Sequence, residues 1–310
     1  MHIELHSKPP GFKVDILEIP AEISEQSFIS FLLNGKEQPV TQIPINSYKI
    51  VGNALEVVLY SETDNIKTAS YSLNFFSNND PSSYIVTKTY RLGTDKFGRD
   101  LLSRILVGTR ISFFIGFIAV FISLVIGISL GATAGYYGGK IDALIMWLIN
   151  ITWSIPTLLL VIAITLALGK GFWQVFIAVG LTMWVEVARV VRGQILSAKN
   201  QQYVEAAKVL EFSDFRIIFR HILPNITAPL IVISAANFAA AILIESGLSF
   251  LGIGAQPPTP SWGAMIKDHY SYIIVGKAYL AVIPGLAIMS LVLAFMLTGN
   301  ALRDALDVKA

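Results

Sequence analysis

The amino-acid sequence predicts an all-α polytopic membrane bundle with a small β-rich region at its N-terminal end. Of the 310 residues, 54% are hydrophobic and only 14% are charged, whereas a soluble domain carries about a quarter charged residues. The charge is also unevenly spread, because residues 1–110 hold 11 of the 23 Lys and Arg and 12 of the 21 Asp and Glu. A polar region of domain size is therefore followed by a very apolar body.

The apolar body contains five long stretches without Asp, Glu, Lys or Arg. They are Ile111–Gly139, Ala143–Gly169, Gly171–Val185, Ile222–Ile244 and Ala278–Leu302. A helix needs about 20 apolar residues to cross the roughly 30 Å hydrocarbon layer, and four of the stretches are long enough. The third is long enough if its helix continues past Glu186. We therefore predict five spans, and charge-free runs of this length argue against the alternative of a soluble protein with buried helices.

Small residues recur inside the first of these stretches. Gly127, Gly131 and Gly135 are four residues apart in "GISLGATAGYYGG". This spacing puts them on one side of a helix, where they permit close contact with another membrane helix. The spacing predicts a packed bundle and says nothing about its function.

The distribution of basic residues between the spans predicts the orientation of the chain. Nine basic residues in the short loops lie on one side and three on the other, and the positive side is cytoplasmic. Residues 203–225 and the C-terminus are therefore expected in the cytoplasm, and the N-terminal region outside. No apolar run precedes that region, so we expect a further span upstream of this chain.

The N-terminal region reads as β structure. "FKVDILEI" alternates apolar and polar residues, "SYKIVGNALEVVLY" contains two strand-like runs around a Gly-Asn turn, and "TASYSLNFF" is a further run. The following "GTDKFGRDLLSRILVGTRIS" has helical spacing. The predicted organisation is an extracytoplasmic head over 1–92, an amphipathic surface helix over 93–110, a transmembrane domain over 111–302 and a cytoplasmic tail over 303–310; a helix packed on the head explains 93–110 equally well.

Five motifs now indicate a family. "GTDKFGRDLLSRILVGTRIS", "GATAGYYGGKID", "YVEAAKVLEFSDFRIIFRHILPN", "ESGLSFLGIGAQPPTPSWGAMI" and "LRDALD" follow one another along the chain. In this order and approximate spacing they resemble the inner-membrane permease subunits of ATP-binding-cassette (ABC) importers of the dipeptide/oligopeptide/nickel group, in particular the second (C-type) permease of the pair. The resemblance runs from about Gly93 to the end of the chain and does not include the head.

The resemblance implies a six-span subunit in the bacterial inner membrane that transports di- or oligopeptides or similar solutes and is not itself an enzyme. Its implied partners are a homologous permease in a heterodimer, two ABC ATPase subunits, an extracytoplasmic solute-binding protein and membrane lipid. The implied ATPase-coupling loop covers residues 193–224. The residues assigned to coupling are Glu205, Ala206, Ala207, Leu210, Glu211, Ser213, Phe215, Ile218, Leu223 and Pro224.

The residues themselves support coupling through a partner protein. No GxxxxGK[ST] nucleotide-binding motif occurs in the chain, so force derived from ATP must arrive by contact. The spacing of Phe215, Ile218, Phe219 and Ile222 predicts one apolar face that fits a groove. Ala206 and Ala207 are small enough for close approach, and we expect Ala207→Asp to uncouple transport without unfolding the chain. From charge alone, a solvated loop that only fixes topology is the alternative.

Two positions depart from the family pattern. The family usually has glycine where this chain has Glu211, so we expected "FSD" to break the helix, with Ser213 as its N-cap. The family also commonly has an Arg and an Asp three residues apart where this chain has Trp147 and Asn150. Both charges are missing together, as expected if they pair.

The second candidate site follows the fourth apolar stretch. We expect Glu245 to line the pathway or to fix the outer loop, or else to be a surface-level acid paired with a neighbouring subunit. Pro257, Pro258 and Trp262 belong to a stiff loop suited to docking a binding protein, although Trp262 also fits an interfacial belt. Lys140 and Asp142 flank a short turn, and we expect them to be solvated.

The sequence favours no catalytic, cofactor or metal site. The four histidines are scattered along the chain, and a net charge of +2 gives no reason to expect nucleic acid. An ion-gradient-driven secondary transporter is the alternative function, but it predicts carboxylates at mid-span and internal repeats, which we do not find. A membrane enzyme would need convergent polar groups at one depth.

Overall fold

The computed structural model describes residues 3–20, 27, 31, 40–61, 67–76, 81–169, 172–254 and 259–306. The chain divides into two compact units. The head unit comprises residues 1–111, 258–260 and 265–284, and the bundle unit comprises residues 112–257, 261–264 and 285–310. The last part of the head unit, residues 265–284, is distant in sequence from the rest of it, which the sequence did not predict.

The head unit is built on a five-stranded antiparallel sheet. Its strands are β1 (Phe12–Pro20), β2 (Val40–Val51), β3 (Ala54–Leu59), β4 (Thr68–Ser72) and β5 (Ile85–Tyr90). Their order is β4-β3-β2-β1-β5. The β-rich head is confirmed, and β1 to β4 lie where the sequence predicted strands. We missed β5, because "IVTKTY" places two apolar residues side by side and does not alternate.

The central strand β1 is covered on both faces, because successive side chains point to opposite sides. Leu17 belongs to one apolar cluster with Leu55 and Phe76. Ile16 belongs to another with Tyr90. The alternation of "FKVDILEI" therefore reflects two cores and not one.

The segment that links β5 to the first long helix is organised by Asp95. This carboxylate is fully buried. Its Oδ1 accepts the backbone N–H groups of Phe97 and Arg99, and its Oδ2 lies 2.6 Å from Nε of Arg99 and 3.5 Å from Nε of Arg104. At Gly93, which has φ +78°, a Cβ would approach the Lys8 carbonyl oxygen to 2.3 Å. "GTDKFGR" is thus a compact turn, and the helix begins only at Leu101.

His269 joins the second part of the head unit to this turn. Its Nε2 accepts the backbone N–H of Lys96 at 3.2 Å, and its Nδ1 lies 2.7 Å from the Met265 carbonyl oxygen. The neutral imidazole with the proton on Nδ1 makes both bonds. Burial lowers the pKa of His269, with a smaller lowering by Lys96, against the opposite effects of the Met265 carbonyl, Asp95 and Asp268.

We expect the contact between His269 and Lys96 to weaken in acid. Because the folded-state pKa is depressed, the unfolded chain binds more protons, and stability is lost as pH falls below the ordinary value of about 6.5. Protonation of Nε2 also removes one hydrogen bond, worth about 1 kcal/mol. Amide exchange of residues 93–100, corrected for intrinsic rates, should be faster at pH 5.5 than at pH 7.5. His269→Gln should abolish this difference, and an unchanged difference would contradict the assignment.

The remaining elements are helical. They are α1 (Leu101–Tyr137), α2 (Gly139–Ser154), α3 (Thr157–Leu168), α4 (Phe172–Ala198), α5 (Gln202–Val209), α6 (Asp214–Arg216), α7 (Thr227–Leu251), α8 (Trp262–His269) and α9 (Tyr279–Leu306). Within the described residues, four helices are long and apolar enough to cross a membrane, or five if α2 and α3 form one bent span.

The helices differ from the predicted spans in two places. The predicted surface helix over 93–110 is not a separate element, because α1 runs without a break from Leu101 to Tyr137; a position at a membrane surface stays a prediction for its first turns. The second predicted span is broken, since the backbone becomes extended at Ile155 and the axes of α2 and α3 differ by 93°. Pro156 follows that break and lacks an N–H for the helical ladder.

The predicted close packing through glycine is confirmed between α1 and α4. A Cβ on Gly127 would lie 2.9 Å from the Trp184 carbonyl oxygen, one on Gly131 would lie 2.5 Å from that of Ala188, and one on Gly135 would lie 2.9 Å from that of Arg192. The three glycines therefore form a stripe along which the two helix backbones meet. A side chain at any of these positions would collide with backbone atoms of the other helix, and backbone atoms cannot rotate away as a side chain can.

Candidate functional site

The segment between α4 and α7 is a chain of short helical pieces. We call residues 199–226, in which the sequence predicts a coupling role, the coupling segment. It contains α5, a turn, α6, a π-helical stretch over Ile217–Ile222 and a 3₁₀ turn over Leu223–Ile226. Together with α7 it forms one almost continuous helical rod from Asp214 to Leu251. α6 is therefore continuous with a helix that is long and apolar enough to cross a membrane.

One side of the coupling segment is anchored in the core of the bundle unit. Val204, Ala207, Ile217, Ile218 and Ile222 are at most 6% exposed. They share an apolar cluster with residues of α1 and α4. Full burial of a valine or isoleucine side chain stabilises the folded chain by about 1.5–3 kcal/mol. The segment is therefore held rigidly and is not a loose loop.

The other side of the segment presents apolar side chains outwards. Val209, Leu210, Phe215 and Phe219 are 82, 66, 70 and 48% exposed, and the rings of Phe215 and Phe219 lie 4.4 Å apart. We call these four residues the exposed apolar patch. Large apolar side chains grouped beside buried anchors are typical of a protein-binding surface.

The predicted coupling residues divide between the two sides. Those that the structure exposes are Glu205, Ala206, Leu210, Glu211, Ser213, Phe215 and Pro224. Ala207 and Ile218 are buried and Leu223 is half-buried. The expectation that Ala207→Asp spares folding was therefore wrong, because Ala207 is 3% exposed and an aspartate there would place a charge in an apolar core.

Polar contacts fix the start and the middle of the segment, and the sequence did not predict them. The Tyr136 hydroxyl donates to Oδ1 of Asp214 at 2.7 Å, and Nζ of Lys199 donates to the Tyr136 carbonyl oxygen at 2.6 Å. Nearby, Arg192 holds both carboxylate oxygens of Asp142, at 2.5 and 2.6 Å. The interpretation of Asp142 as merely solvated was wrong, since a bidentate pair joins α2 to α4.

The turn after α5 is a Schellman motif with an unusual residue. The N–H of Phe212 donates to the Ala207 carbonyl at 3.2 Å, and the N–H of Glu211 donates to that of Lys208 at 2.9 Å. This pattern needs a left-handed backbone conformation at the first residue after the helix cap, which is commonly glycine. Here Glu211 occupies that position and adopts the left-handed conformation, with φ +52°. The prediction that "FSD" breaks the helix was wrong, although Ser213 does stand at the N-cap of α6, without a side-chain capping bond.

We expect Glu211→Gly to stabilise the chain by about 1 kcal/mol. A residue with a Cβ pays about 1–2 kcal/mol for the left-handed conformation, and glycine avoids this cost but loses some chain entropy. The measurement is the melting temperature of the purified chain in detergent. Glu211→Ala is the matched control, because it removes the charge and keeps the Cβ. Equal stabilisation by both variants would show that charge, and not backbone strain, is the cause.

Glu245 lies inside the bundle unit and not at its surface. The side chain is 1% exposed, and its Oε1 accepts hydroxyl bonds from Ser249 at 2.6 Å and Ser261 at 2.8 Å. A Cβ on Gly263 would meet the Ser246 carbonyl oxygen at 2.2 Å. The prediction that Glu245 is a surface-level acid is therefore wrong. These contacts fit the expected fixing of a loop, while a role in the pathway stays a prediction.

The remaining candidates of this region are placed only in part. Pro257 and Pro258 lie outside the described residues. Trp262 is 2% exposed, so its indole is packed within the chain. It is neither presented to lipid nor available for docking, contrary to both interpretations.

Comparisons with known proteins identify the family. The sequence profile of the binding-protein-dependent transport system inner membrane component matches residues 123–309, more than half of the chain. The chain belongs to this family. A dipeptide transport system permease of Haemophilus influenzae is 46% identical over 220 residues, which are 71% of this chain and 74% of that protein. A glutathione transport system permease of Pectobacterium atrosepticum is 42% identical over 218 residues, or 70% and 72%.

The fold agrees with that of a solved permease. The MetNI methionine ABC transporter in inward-facing conformations aligns over 66% of this chain and 97% of that chain, with a TM-score of 0.55 and 18% sequence identity. The resemblance inferred from the five motifs is confirmed, and the chain is an ABC transporter permease subunit. Membership of this family decides against the ion-gradient-driven transporter.

Proposed function

We propose that this chain forms half of the membrane pathway of a peptide importer and takes its driving force from cytoplasmic ATPase subunits. The observation that carries the proposal is the arrangement of the coupling segment. Buried anchors at Val204, Ile217 and Ile222 fix it to α1 and α4, while Leu210 and Phe215 point outwards. A partner that grips the exposed apolar patch can therefore move membrane helices as rigid levers.

The orientation follows from the same segment. Its basic residues favour the cytoplasmic side under the positive-inside rule, which puts the C-terminus in the cytoplasm and the β-rich head outside. The other half of the pathway is a homologous permease subunit, and a solute-binding protein delivers substrate from outside. ATP is hydrolysed by the partner subunits, since the chain has no nucleotide-binding motif.

The substrate class is peptides, which the names of the related dipeptide and glutathione permeases support. The test is uptake into proteoliposomes that contain the chain with its partner permease, its ATPases and its binding protein. Radiolabelled alanyl-alanine and glutathione are the probes. We expect uptake of one or both peptides, and we expect it to require ATP on the side of the membrane where the ATPases lie. Uptake that follows a proton gradient without ATP would contradict the proposal.

A further inference from the structure

Glu186 directly follows the charge-free stretch Gly171–Val185, and the structure places this carboxylate within a helix that is long and apolar enough to cross a membrane. It stands fourteen residues after Phe172, the first residue of the 27-residue α4, which is about 21 Å along the axis at 1.5 Å per residue. An ionisable group at membrane depth is costly and faces a cavity or a partner charge. Glu186 therefore calls for a functional explanation that apolar packing does not supply.

Glu186 has an exposed side chain that lines a cavity of about 220 Å³ open at the surface of the bundle unit. Thr152, Thr157, Thr182 and Trp153 also line it. The cavity thus combines one negative charge with neutral oxygen atoms and an aromatic wall. Ligand sites in clefts commonly have this form, with a few polar groups on an apolar lining.

The break between α2 and α3 borders the same cavity, through Thr152, Ile155 and Thr157. The helical ladder is interrupted there, since Ile155 and Pro156 are not helical. Non-helical backbone at membrane depth is tolerated only where protein buries it or where it lines a water-filled cavity. Broken helices with polar linings mark substrate sites in other transporters.

Glu186 has no cation of its own in the described part of the chain. Arg189, one turn further along α4, is placed to pair with it. Instead, Arg189 donates to Oδ1 of Asn150 at 2.8 Å, and its guanidinium lies 3.5 Å from the centre of the Trp153 ring. No ion pair among the described residues includes Glu186. The neighbouring arginine is held away and the carboxylate stays open.

We infer that this cavity receives the terminal ammonium group of a peptide in transit, with Glu186 as its counter-charge; the inference rests on the proposed function. An ammonium group has three donors and no acceptor, and the carboxylate and threonine oxygens can accept them. A metal ion fits less well, because the described residues contain no group of three His, Cys, Asp or Glu that could hold one. One carboxylate matches one positive charge.

The test compares Glu186→Gln with wild type in the reconstituted importer, with radiolabelled alanyl-alanine as the probe. We expect uptake to fall at least about tenfold in Glu186→Gln, and Glu186→Asp to keep most of it because the charge remains. Glu56→Gln, which removes an exposed carboxylate from the head, should transport like wild type. The binding protein is unaltered in every arm, so delivery of the peptide is constant.

Each outcome bears on the site. Equal uptake by wild type and Glu186→Gln would overturn the site and leave the proposed function standing. No uptake of any peptide by wild type would overturn both. If the subunits of the Glu186→Gln importer separate in size-exclusion chromatography, Glu186 pairs with a partner subunit and the ammonium site is wrong. Reduced uptake by an intact complex, restored by aspartate, supports it.

Discussion

Gly131→Val is expected to prevent the bundle unit from reaching its native packing. A Cβ at this position lies 2.5 Å from the Ala188 carbonyl oxygen, 2.9 Å from Cβ of Val191 and 3.0 Å from Cα of Ala188. Overpacking costs about 1–3 kcal/mol where side chains can adjust, and here two helix backbones must separate. We expect Gly131→Ala to lower the melting temperature clearly and Gly131→Val to leave little monodisperse protein.

Gly193→Ala provides the matched control on the partner helix. Gly193 also lies within a helix, α4, but its Cβ would meet nothing within 4 Å. This substitution should be neutral or slightly stabilising, because alanine is favoured over glycine in a helix by about 0.8–1 kcal/mol. Fluorescence-detected size-exclusion chromatography and thermal melts measure both series. If Gly131→Ala and Gly193→Ala melt alike, the glycine stripe is not what joins α1 to α4.

Features encoded by local spacing could be predicted from the sequence. Charge-free runs located the membrane helices, alternation located β1, strand-like runs located β2 to β4, and the four-residue spacing of Gly127, Gly131 and Gly135 predicted a close helix contact. Each of these signals depends only on the period of a helix or strand. The partner helix of the glycines could not be predicted, because the spacing describes one side of the contact.

The exposed apolar patch could be predicted only in part. A period of 3.6 places Phe215, Ile218, Phe219 and Ile222 on one face, but the structure exposes the two phenylalanines and buries the two isoleucines. The reason is the π-helical stretch over Ile217–Ile222. Its i to i+5 hydrogen bonds turn the chain by a smaller angle per residue, so a template built for an α-helix assigns the wrong face.

Contacts between distant residues left no local signal. Asp142 and Arg192 are fifty positions apart, and Glu245 receives a bond from Ser261 across a loop. Neither pair follows from periodicity or composition. The same applies to Glu186, which looked in the sequence like a charge at the end of a short span and stands in the structure beside a cavity at a helix break.

Replacing Leu210 and Phe215 together by aspartate is expected to abolish ATP-driven uptake. The two side chains are 66 and 70% exposed, so the chain loses little packing when they change. At a protein interface, a well-packed anchor contributes about 2 kcal/mol or more, which corresponds to roughly thirtyfold in affinity. The loss of two apolar contacts and the addition of two negative charges should release the ATPases. Co-purification of the ATPases with the chain and uptake into proteoliposomes measure this.

The control and the contrary result separate coupling from folding. Ile50→Asp changes an apolar side chain of similar exposure, 54%, on the head and should leave ATPase binding intact. The double variant should melt at the wild-type temperature, because the anchors Val204, Ile217 and Ile222 are untouched. Full ATPase binding and full uptake in that variant would contradict the assignment of the patch. Binding retained with uptake lost would place the patch in force transmission and not in affinity, since a partner can stay attached through other contacts while the levers no longer move.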